Sequence, residues 1–421
     1  MDSLRADHCG YLGDDRGLTP TLDSLADAGV AYETAISPGP RTFSTMPAVF
    51  TGHHQTSNSL AVYPGETAWE RRLAAIDVHL GRHGSFPERL SDLGYDTAGI
   101  SPNPWTSSAS GFDRGFDHFV DFSGSDDDGL LHGIADRLPV DTERRSVEML
   151  LNMVAGKSFF TQWENFYDRL RQLTERLSEP YFLWVFLLDT HYPFITSRTH
   201  RTEQSLLGMY YSAYRSEGAM RGNTDSLAPG VAASMERSYR DTVRASDDFL
   251  THLLDDLSSA DPVTVVHSDH GESFGEHGAY GHHRGDVYEE NVHVPFVVHN
   301  AGVEATISEP TSLASIHDTV LSVARQGTFD PHASTEPQVV ASDVRGSSRA
   351  ARGERYKLVE TETGDRLFDL ATDPEELRDV SAESEAIKRD LADTLESFDD
   401  HVTEVESLGR AAATVAAQRS F

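Results

Sequence analysis

Apolar residues occur along this chain in two textures. The first is a short, continuous run. Tyr181-Phe182-Leu183-Trp184-Val185-Phe186-Leu187-Leu188 is the longest of these, Pro262-Val263-Thr264-Val265-Val266-His267 and Val294-Pro295-Phe296-Val297-Val298 are two more, and Tyr95 to Ile100 follows a helix-like stretch from Ser85 to Leu93. Unbroken runs of this length predict strands buried on both faces. The second texture has helical periodicity, over Val147 to Val154, Trp163 to Leu177, Met235 to Leu257 and Ser312 to Ala324. Strands separated by helices predict an α/β fold with a doubly wound, mostly parallel sheet. Ligands of such sheets bind at the carboxyl ends of the strands. Polar motifs directly after apolar runs are therefore the places to look for chemistry. The segment Asp2 to His8 has this post-strand character without a strand before it, so a first strand is expected upstream of Met1.

Near Pro337 the texture changes. Gln338 to Ala341, Tyr356 to Glu360 and Arg366 to Leu370 read as short strands, and an acidic helical tail runs from about Ser384 to Val405. This predicts a main domain over residues 1–335 and a small antiparallel sheet-plus-helix subdomain over 336–421. The segments 123–129 and Arg198 to Pro229 are poor in apolar residues and read as surface loops or insertions.

Composition narrows the picture. Hydrophobic residues make up 38% of the 421, enough for a core, so global disorder is excluded. No apolar run is long enough to cross a bilayer, and the opening residues carry no signal-peptide pattern, which predicts a cytoplasmic protein. The single cysteine, Cys9, excludes an intrachain disulfide framework and a multi-cysteine zinc site. The formal charge is −33. Lysine occurs only at Lys157, Lys357 and Lys388, and the remaining basic residues are arginine. Acids spread over the whole chain read as a surface that stays hydrated in concentrated salt, as in the proteome of a salt-loving microbe; at 1 M salt the Debye length is only about 3 Å. A nucleic-acid partner would need a basic stripe, and none exists.

Four polar stations stand out: Asp2 to His8; Arg41-Thr42-Phe43-Ser44-Thr45-Met46-Pro47; Asp189-Thr190-His191-Tyr192-Pro193; and His267-Ser268-Asp269-His270-Gly271-Glu272, running on to His277, His282, His283 and Arg284. An Asp-His pair at a strand end, beside a glycine that allows a tight turn, suits a divalent cation. The carboxylate supplies charge and the imidazole a directional nitrogen. An isolated Asp-His pair would more often be a hydrogen-bonded turn; the four histidines that follow, His277, His282, His283 and His293, shift the balance toward function.

At this point the sequence resembles the sulfatase family of the alkaline phosphatase superfamily. The resemblance lies in Asp2-Ser3-Leu4-Arg5-Ala6-Asp7-His8, Thr19-Pro20-Thr21-Leu22-Asp23-Ser24-Leu25-Ala26, Gly111-Phe112-Asp113-Arg114-Gly115-Phe116-Asp117, the Asp189 turn, Asp269-His270-Gly271-Glu272 and Tyr288 to Phe296. It ends with Tyr356-Lys357-Leu358 and Leu367 to Glu376. The motifs span nearly the whole chain in the family's order, and together they are specific. The resemblance implies an alkaline phosphatase-like fold and a metal-dependent hydrolase of sulfate or phosphate esters. Its substrate would be a small anionic ester or a sulfated or phosphorylated glycan. The nucleophile position falls on Thr42. Sulfatases place there a Cys or Ser that becomes formylglycine, followed by Pro, Ser and Arg; here the sequence is Thr42-Phe43-Ser44-Thr45-Met46, so no formylglycine is expected. A threonine resembles the phosphoglycerol- and phosphoethanolamine-transferring branch. A cation beside Thr42 would lower the pKa of its hydroxyl. The alternative is that Thr42 only caps the following helix.

The resemblance further implies that Asp2, Thr42, Asp269 and His270 bind one divalent ion (Ca²⁺, Mg²⁺ or Mn²⁺). His191, with His282 or His283, would face the ester oxygens and stabilise charge or protonate the leaving group. Arg284 falls where many sulfatases have a substrate lysine. Arg5 could reach an anion, or could pair with Asp7 or Asp23. Lys357 matches a family lysine and reads as structural; His277 and His293 read as surface or packing residues. Two alternatives to hydrolysis stay open: transfer of a phosphoalcohol group through a Thr42 adduct, and an inactive relative that binds an anionic glycan.

Overall fold

The computed structural model describes residues 1–55, 62–123, 161–222, 227–282, 287–344 and 346–419. The helix expected over Val147 to Val154, the acidic loop 124–129, and His283 and Arg284 lie outside the described residues.

Among the described residues the main domain has two principal sheets that face each other edge to edge, with two short two-stranded pairings beside them. In the first, Asp96–Ser101 lies between His118–Asp121 and Tyr181–Val185, all parallel. The second has the order Ala305–Ile307, Gly29–Tyr32, Phe296–His299, Thr264–His267. Phe296–His299 runs antiparallel to both its neighbours, so this half is mixed. Gly29 sits where a Cβ would lie 2.6 Å from the Val298 carbonyl oxygen, which explains a side-chain-free residue at the start of its strand. Both faces are covered, as the continuous apolar runs require. On one face Phe166, Leu170, Leu187, Tyr239, Val243, Leu250 and Val266 form a buried cluster that includes the long helix Pro229–Asp256. On the other, Met46, Val49, Phe50, Phe86, Trp184, Phe296 and Ile316 pack together from the helices Thr42–Thr51, Phe86–Asp92 and Ile316–Gln326 and the strands beneath. A capping box between Ser85 and Glu88 starts the Phe86–Asp92 helix. This is a doubly wound arrangement with helices on both sides.

The first residues of the chain pass between the two sheets. The Met1 amine donates to the His267 carbonyl at 2.8 Å, Asp269 N–H donates back to the Met1 carbonyl at 3.0 Å, and Asp2 N–H donates to the Leu187 carbonyl at 2.9 Å. Asp2 is thereby fixed at the seam, just past the carboxyl ends of both Tyr181–Val185 and Thr264–His267.

One expectation is overturned. Within the presumed insertion Arg198 to Pro229, residues Leu206–Met220 form a helix. Its buried residues Met209, Tyr210, Ser212, Ala213, Ser216, Ala219 and Met220 follow helical spacing. Four of them are serine or alanine on a helix that packs against Pro229–Asp256, so low hydrophobicity hid a buried face.

The C-terminal part is a four-stranded antiparallel meander of Gln338–Ser342, Ser348–Gly353, Tyr356–Thr361 and Gly364–Asp369. One face packs on Leu391 and Leu395 of the helix Glu385–Arg419. The other packs on Ile36, Val287, Tyr288 and Val292 of the main domain. Strand Ser348–Gly353 escaped the sequence reading because Arg349 and Arg352 interrupt its apolar pattern; they pair with Glu360 and Glu289. Lys357 is fully buried, with its ammonium 2.9 Å from both Glu289 and Glu376. This ion triad ties the meander to the main domain.

Candidate active site

Four segments converge at the seam. Asp2 and Ser3 come from the chain start, and Asp269 and His270 follow the strand Thr264–His267. Asn103 follows Asp96–Ser101, and Thr42 opens the helix Thr42–Thr51. Ser3 has a φ of 60°, unusual for a residue with a Cβ. Three hydrogen bonds hold it there: Ser3 N–H to Asp269 Oδ1 at 3.2 Å, Ser3 Oγ to Asp2 Oδ1 at 2.8 Å, and the Tyr239 hydroxyl to the Ser3 carbonyl at 2.7 Å. Gly271 makes the turn after His270 possible, because a Cβ there would lie 2.0 Å from the Glu290 carbonyl oxygen.

Asp2, Asp269 and His270 are completely buried. Each offers one ligand-type atom, and these atoms lie within 4.8 Å of one another. His270 Nδ1 donates to the Gly271 carbonyl at 2.8 Å. That bond leaves Nε2 directed toward the carboxylates, 3.5 Å from Asp2 and 3.6 Å from Asp269. The Thr42 hydroxyl lies 3.3 Å from Asp2 Oδ2 and 3.4 Å from His270 Nε2. Arg41 is the residue that caps the Thr42–Thr51 helix, while Thr42 is its first residue and turns its side chain to the cluster.

The electrostatics are those of crowded carboxylates. Burial and the neighbouring Asp2 push Asp269 up to about 6, against the pull of His270. Asp2 moves the other way: burial would raise it, but His191, His270 and His282 outweigh burial and lower it. Burial alone would depress His270, yet Asp269 and Asp2 raise it. Asp269 Oδ2 is buried and accepts no hydrogen bond of ordinary geometry. Two buried carboxylates, an orphaned carboxylate oxygen and an imidazole nitrogen of fixed orientation form a donor set that fits a hard or borderline divalent cation.

His191 and His282 stand beside this cluster. The His282 ring is 4.5 Å from that of His270 and 5.2 Å from that of His191. His282 Nδ1 bonds Glu272 Oε1 at 2.9 Å, and His191 Nδ1 donates to the Tyr192 carbonyl at 2.7 Å. Burial, then His270 and His191, holds His282 well below its ordinary value. Arg5 is not brought to the cluster. Its guanidinium bonds Asp7 at 2.6 and 2.9 Å, Glu276 at 2.5 Å and the Glu272 carbonyl at 3.0 Å. Asp23, the other partner considered for it, accepts from Tyr11 N–H and Thr19 instead. His277 stacks on Tyr288, and His293 bonds the Glu33 carbonyl, both as packing residues.

Sequence reasoning assigned no site role to three contributors. Asn103 Nδ2 donates to Asp2 Oδ2 at 2.8 Å, and the Thr190 hydroxyl donates to the Asp2 carbonyl. Arg41 lies close enough to His282 to help depress it. Asn103 was detectable, since Asn103-Pro104-Trp105 is a polar turn directly after an apolar strand. Beside Thr42 a cationic and aromatic wall rises. The Arg72 guanidinium lies 4.2 Å from the Phe43 ring centre and 5.8 Å from that of Trp105, and the half-exposed Trp69 ring lies 3.9 Å from Trp105.

Known proteins share this architecture. A family profile described as Sulfatase matches residues 1–326. Arylsulfatase K of Gallus gallus is 24% identical over 240 residues, covering 49% of this chain and 42% of that protein, so the chain spans less than half of its curated relative. The phosphonate monoester hydrolase of Agrobacterium radiobacter superposes with a TM-score of 0.65 at 16% identity, covering 95% of this chain and 94% of its own. A protein solved in complex with its substrate D-glucosamine-2-N,6-O-disulfate also gives 0.65, at 15% identity, with 96% and 97% coverage.

Proposed function

Because the chain belongs to the sulfatase family of the alkaline phosphatase superfamily, we propose that it hydrolyses phosphate or sulfate esters with Thr42 as nucleophile. The observation that carries this reading is the Thr42 hydroxyl itself. It is buried, sits on the first residue of a helix, and lies within 3.4 Å of both Asp2 and His270. A helix N-terminus favours an anionic ester in front of it, and Arg41 adds positive charge on the same side.

Asp2, Asp269 and His270 would hold a divalent cation (Ca²⁺, Mg²⁺ or Mn²⁺), which supplies positive charge that lowers the pKa of the Thr42 hydroxyl and offsets the charge of the ester. Asn103 and Ser3 hold the Asp2 carboxylate in place. Thr42 Oγ1 attacks the phosphorus or sulfur and passes its proton to Asp2 Oδ2. The bond to the ester oxygen breaks, and the departing oxygen takes a proton from His191 Nε2. Water then attacks the Thr42 adduct and returns a proton to His191. Thr42 leaves with its electron pair and recovers its proton from Asp2. His282, held near neutral, keeps the pocket from becoming too positive for product to leave.

The neighbour that binds a disulfated glucosamine supports an anionic sugar ester as the substrate class. The Phe43–Trp105–Trp69 wall with Arg72 suits one face of a sugar or aryl ring. A plain hydroxyl lacks the formylglycine route for releasing sulfate, so phosphate esters are the better substrates in this reading. Aryl phosphate and aryl sulfate turnover, measured side by side in high salt with added divalent cation, tests it. Thr42→Ala should lose activity by at least about 10³-fold with fold and metal content retained, and Thr42→Ser should keep a measurable part. Undiminished turnover in Thr42→Ala would move the nucleophile elsewhere, and a clear preference for sulfate would overturn the substrate assignment.

A further inference from the structure

Six of the twenty histidines gather at the far end of the Thr42–Thr51 helix: His53, His54, His79, His83, His317 and His401. The helix has ten residues, a rise of about 15 Å, so this group is separate from the Asp2 cluster at its other end. Gly52 ends the helix in the left-handed region, at a φ of 74°, with its N–H on the Ala48 carbonyl at 2.8 Å. His53 and His54 follow at once. His79 and His83 stand four residues apart in the last turns of the helix Ala68–His83, and so share one face of it.

The His83 ring centre lies 4.7 Å from that of His79 and 4.4 Å from that of His53. A Zn²⁺–nitrogen bond is about 2.0–2.1 Å; with about 1.1 Å more from nitrogen to ring centre, two imidazoles on one tetrahedral ion have centres roughly 5 Å apart. The observed spacings fall just inside that value. The rings are gathered, but their nitrogens do not yet converge: among the described residues, only Asp2, Asp269 and His270 offer three ligand atoms within 4.8 Å. Rotation of the exposed His53 and half-buried His83 rings would close the difference.

The hydrogen bonding leaves lone pairs for a metal. The Thr51 hydroxyl has one hydrogen and donates it to the Pro47 carbonyl at 2.7 Å. It therefore accepts from His79 Nε2 at 3.0 Å, and His79 Nδ1 keeps its lone pair. Among the described residues, no hydrogen bond or ion pair engages the ring nitrogens of His53 or His83. Burial and the surrounding imidazoles lower His79 and His53, and burial with His53 and Arg82 holds His83 at about 4, so all three are neutral at pH 7. Ring nitrogens gathered for packing alone would ordinarily find hydrogen-bond partners. The negative end of the Thr42–Thr51 helix dipole also lies here, which favours a cation.

We propose that His53, His79 and His83 form a second metal site, for a divalent transition ion of the Zn²⁺ class, which staples the end of the Thr42–Thr51 helix to the helix Ala68–His83. Imidazole nitrogens suit Zn²⁺, Ni²⁺ or Cu²⁺ and discriminate against Mg²⁺ and Ca²⁺, which take oxygen. The site thus differs in kind from the Asp2 cluster and does not rest on the role of Thr42. His317 stands beside Gly52 with Nδ1 held by Asp318 at 2.8 Å, which leaves its Nε2 as the nitrogen for a fourth bond.

The test uses Zn²⁺ alone as the probe, on the full chain, at micromolar concentration with millimolar Mg²⁺ present. Asp269→Asn, which disables the carboxylate cluster, should still retain one equivalent of zinc after dialysis. Adding His53→Gln and His83→Gln should remove that equivalent, and the same pair in the parent should also remove one. Zn²⁺ should raise Tm by several degrees only in the chains that keep all three histidines. His53→Gln alone, at the exposed edge, serves should the double variant fail to fold. Unchanged zinc and an unchanged Tm rise after the histidine substitutions would give the ion to the acidic surface and overturn the site. Absence of zinc from Asp269→Asn would give it to the Asp2 cluster and overturn it equally.

Discussion

Beside the Asp2 cluster, Asp189 is a buried carboxyl whose Oδ2 accepts no hydrogen bond. Burial and the charge of Glu164 push it up to about 8. The unfolded chain ionises it near its ordinary value of 3.8. Between about pH 4 and 8 the folded chain therefore keeps a proton that the unfolded chain has released. Asp189 lowers stability as pH rises through that window and adds no further slope above it. Asp189→Asn keeps the shape and removes the titration. Urea unfolding should find the variant's advantage small near pH 5 and larger by on the order of a few kcal/mol at pH 8.5; an equal gap at both pH values would refute the assignment. At this scale the sequence was informative wherever a polar residue follows an apolar strand. Asp269, His270 and His191 stand where that rule puts them. Arg5 was misleading because its guanidinium could be satisfied by Asp7 nearby in sequence and by Glu276, whose proximity only the fold creates.

Elements whose apolar faces are made of large side chains were readable, and those built from small ones were not. Tyr181–Val185 and Thr264–His267 announce themselves as aliphatic and aromatic runs. Helix Leu206–Met220 buries Ser212, Ala213, Ser216 and Ala219, whose low hydrophobicity carries no visible period. Turns were readable where glycine is obligatory. Gly271 joins His270 to Glu272 with its N–H on the Asn291 carbonyl at 2.9 Å and its carbonyl on His270 Nδ1. Gly271→Ala would press a methyl against the Glu290 carbonyl and tilt the imidazole. A loss of about 1–3 kcal/mol is expected, together with a fall in activity larger than the stability loss explains. Thermal melts and turnover of the same preparation check it; unchanged values for both would show that the turn yields freely.

Across the whole molecule, the site is a meeting place of distant segments and not a property of any one of them. Its residues belong to the chain start, to turns near 42, 103 and 190, and to a turn near 270. A cation that needs Asp2, Asp269 and His270 together has affinity only for the folded chain, so binding should stabilise that chain. Raising Ca²⁺, Mg²⁺ or Mn²⁺ from tenfold to a thousandfold above its Kd should lift Tm by several degrees, and Asp269→Asn should abolish the lift. The variant is an essential control, because a chain of charge −33 attracts cations over its entire surface; an equal lift in parent and variant would place the effect there. The hydrogen bonds of Met1 and Asp2 to Leu187, His267 and Asp269 also set a timetable. During synthesis Met1 and Asp2 wait long for their partners: Leu187 emerges 185 residues after Asp2 (187 − 2), and His267 emerges 266 residues after Met1. Until then the seam stands open, the apolar edges at 181–185 and 264–267 are exposed to neighbouring chains, and the Asp2–Asp269–His270 cluster is unassembled. A nascent chain of this protein therefore lacks its cation-binding cluster and is prone to aggregate until residue 270 has cleared the exit tunnel.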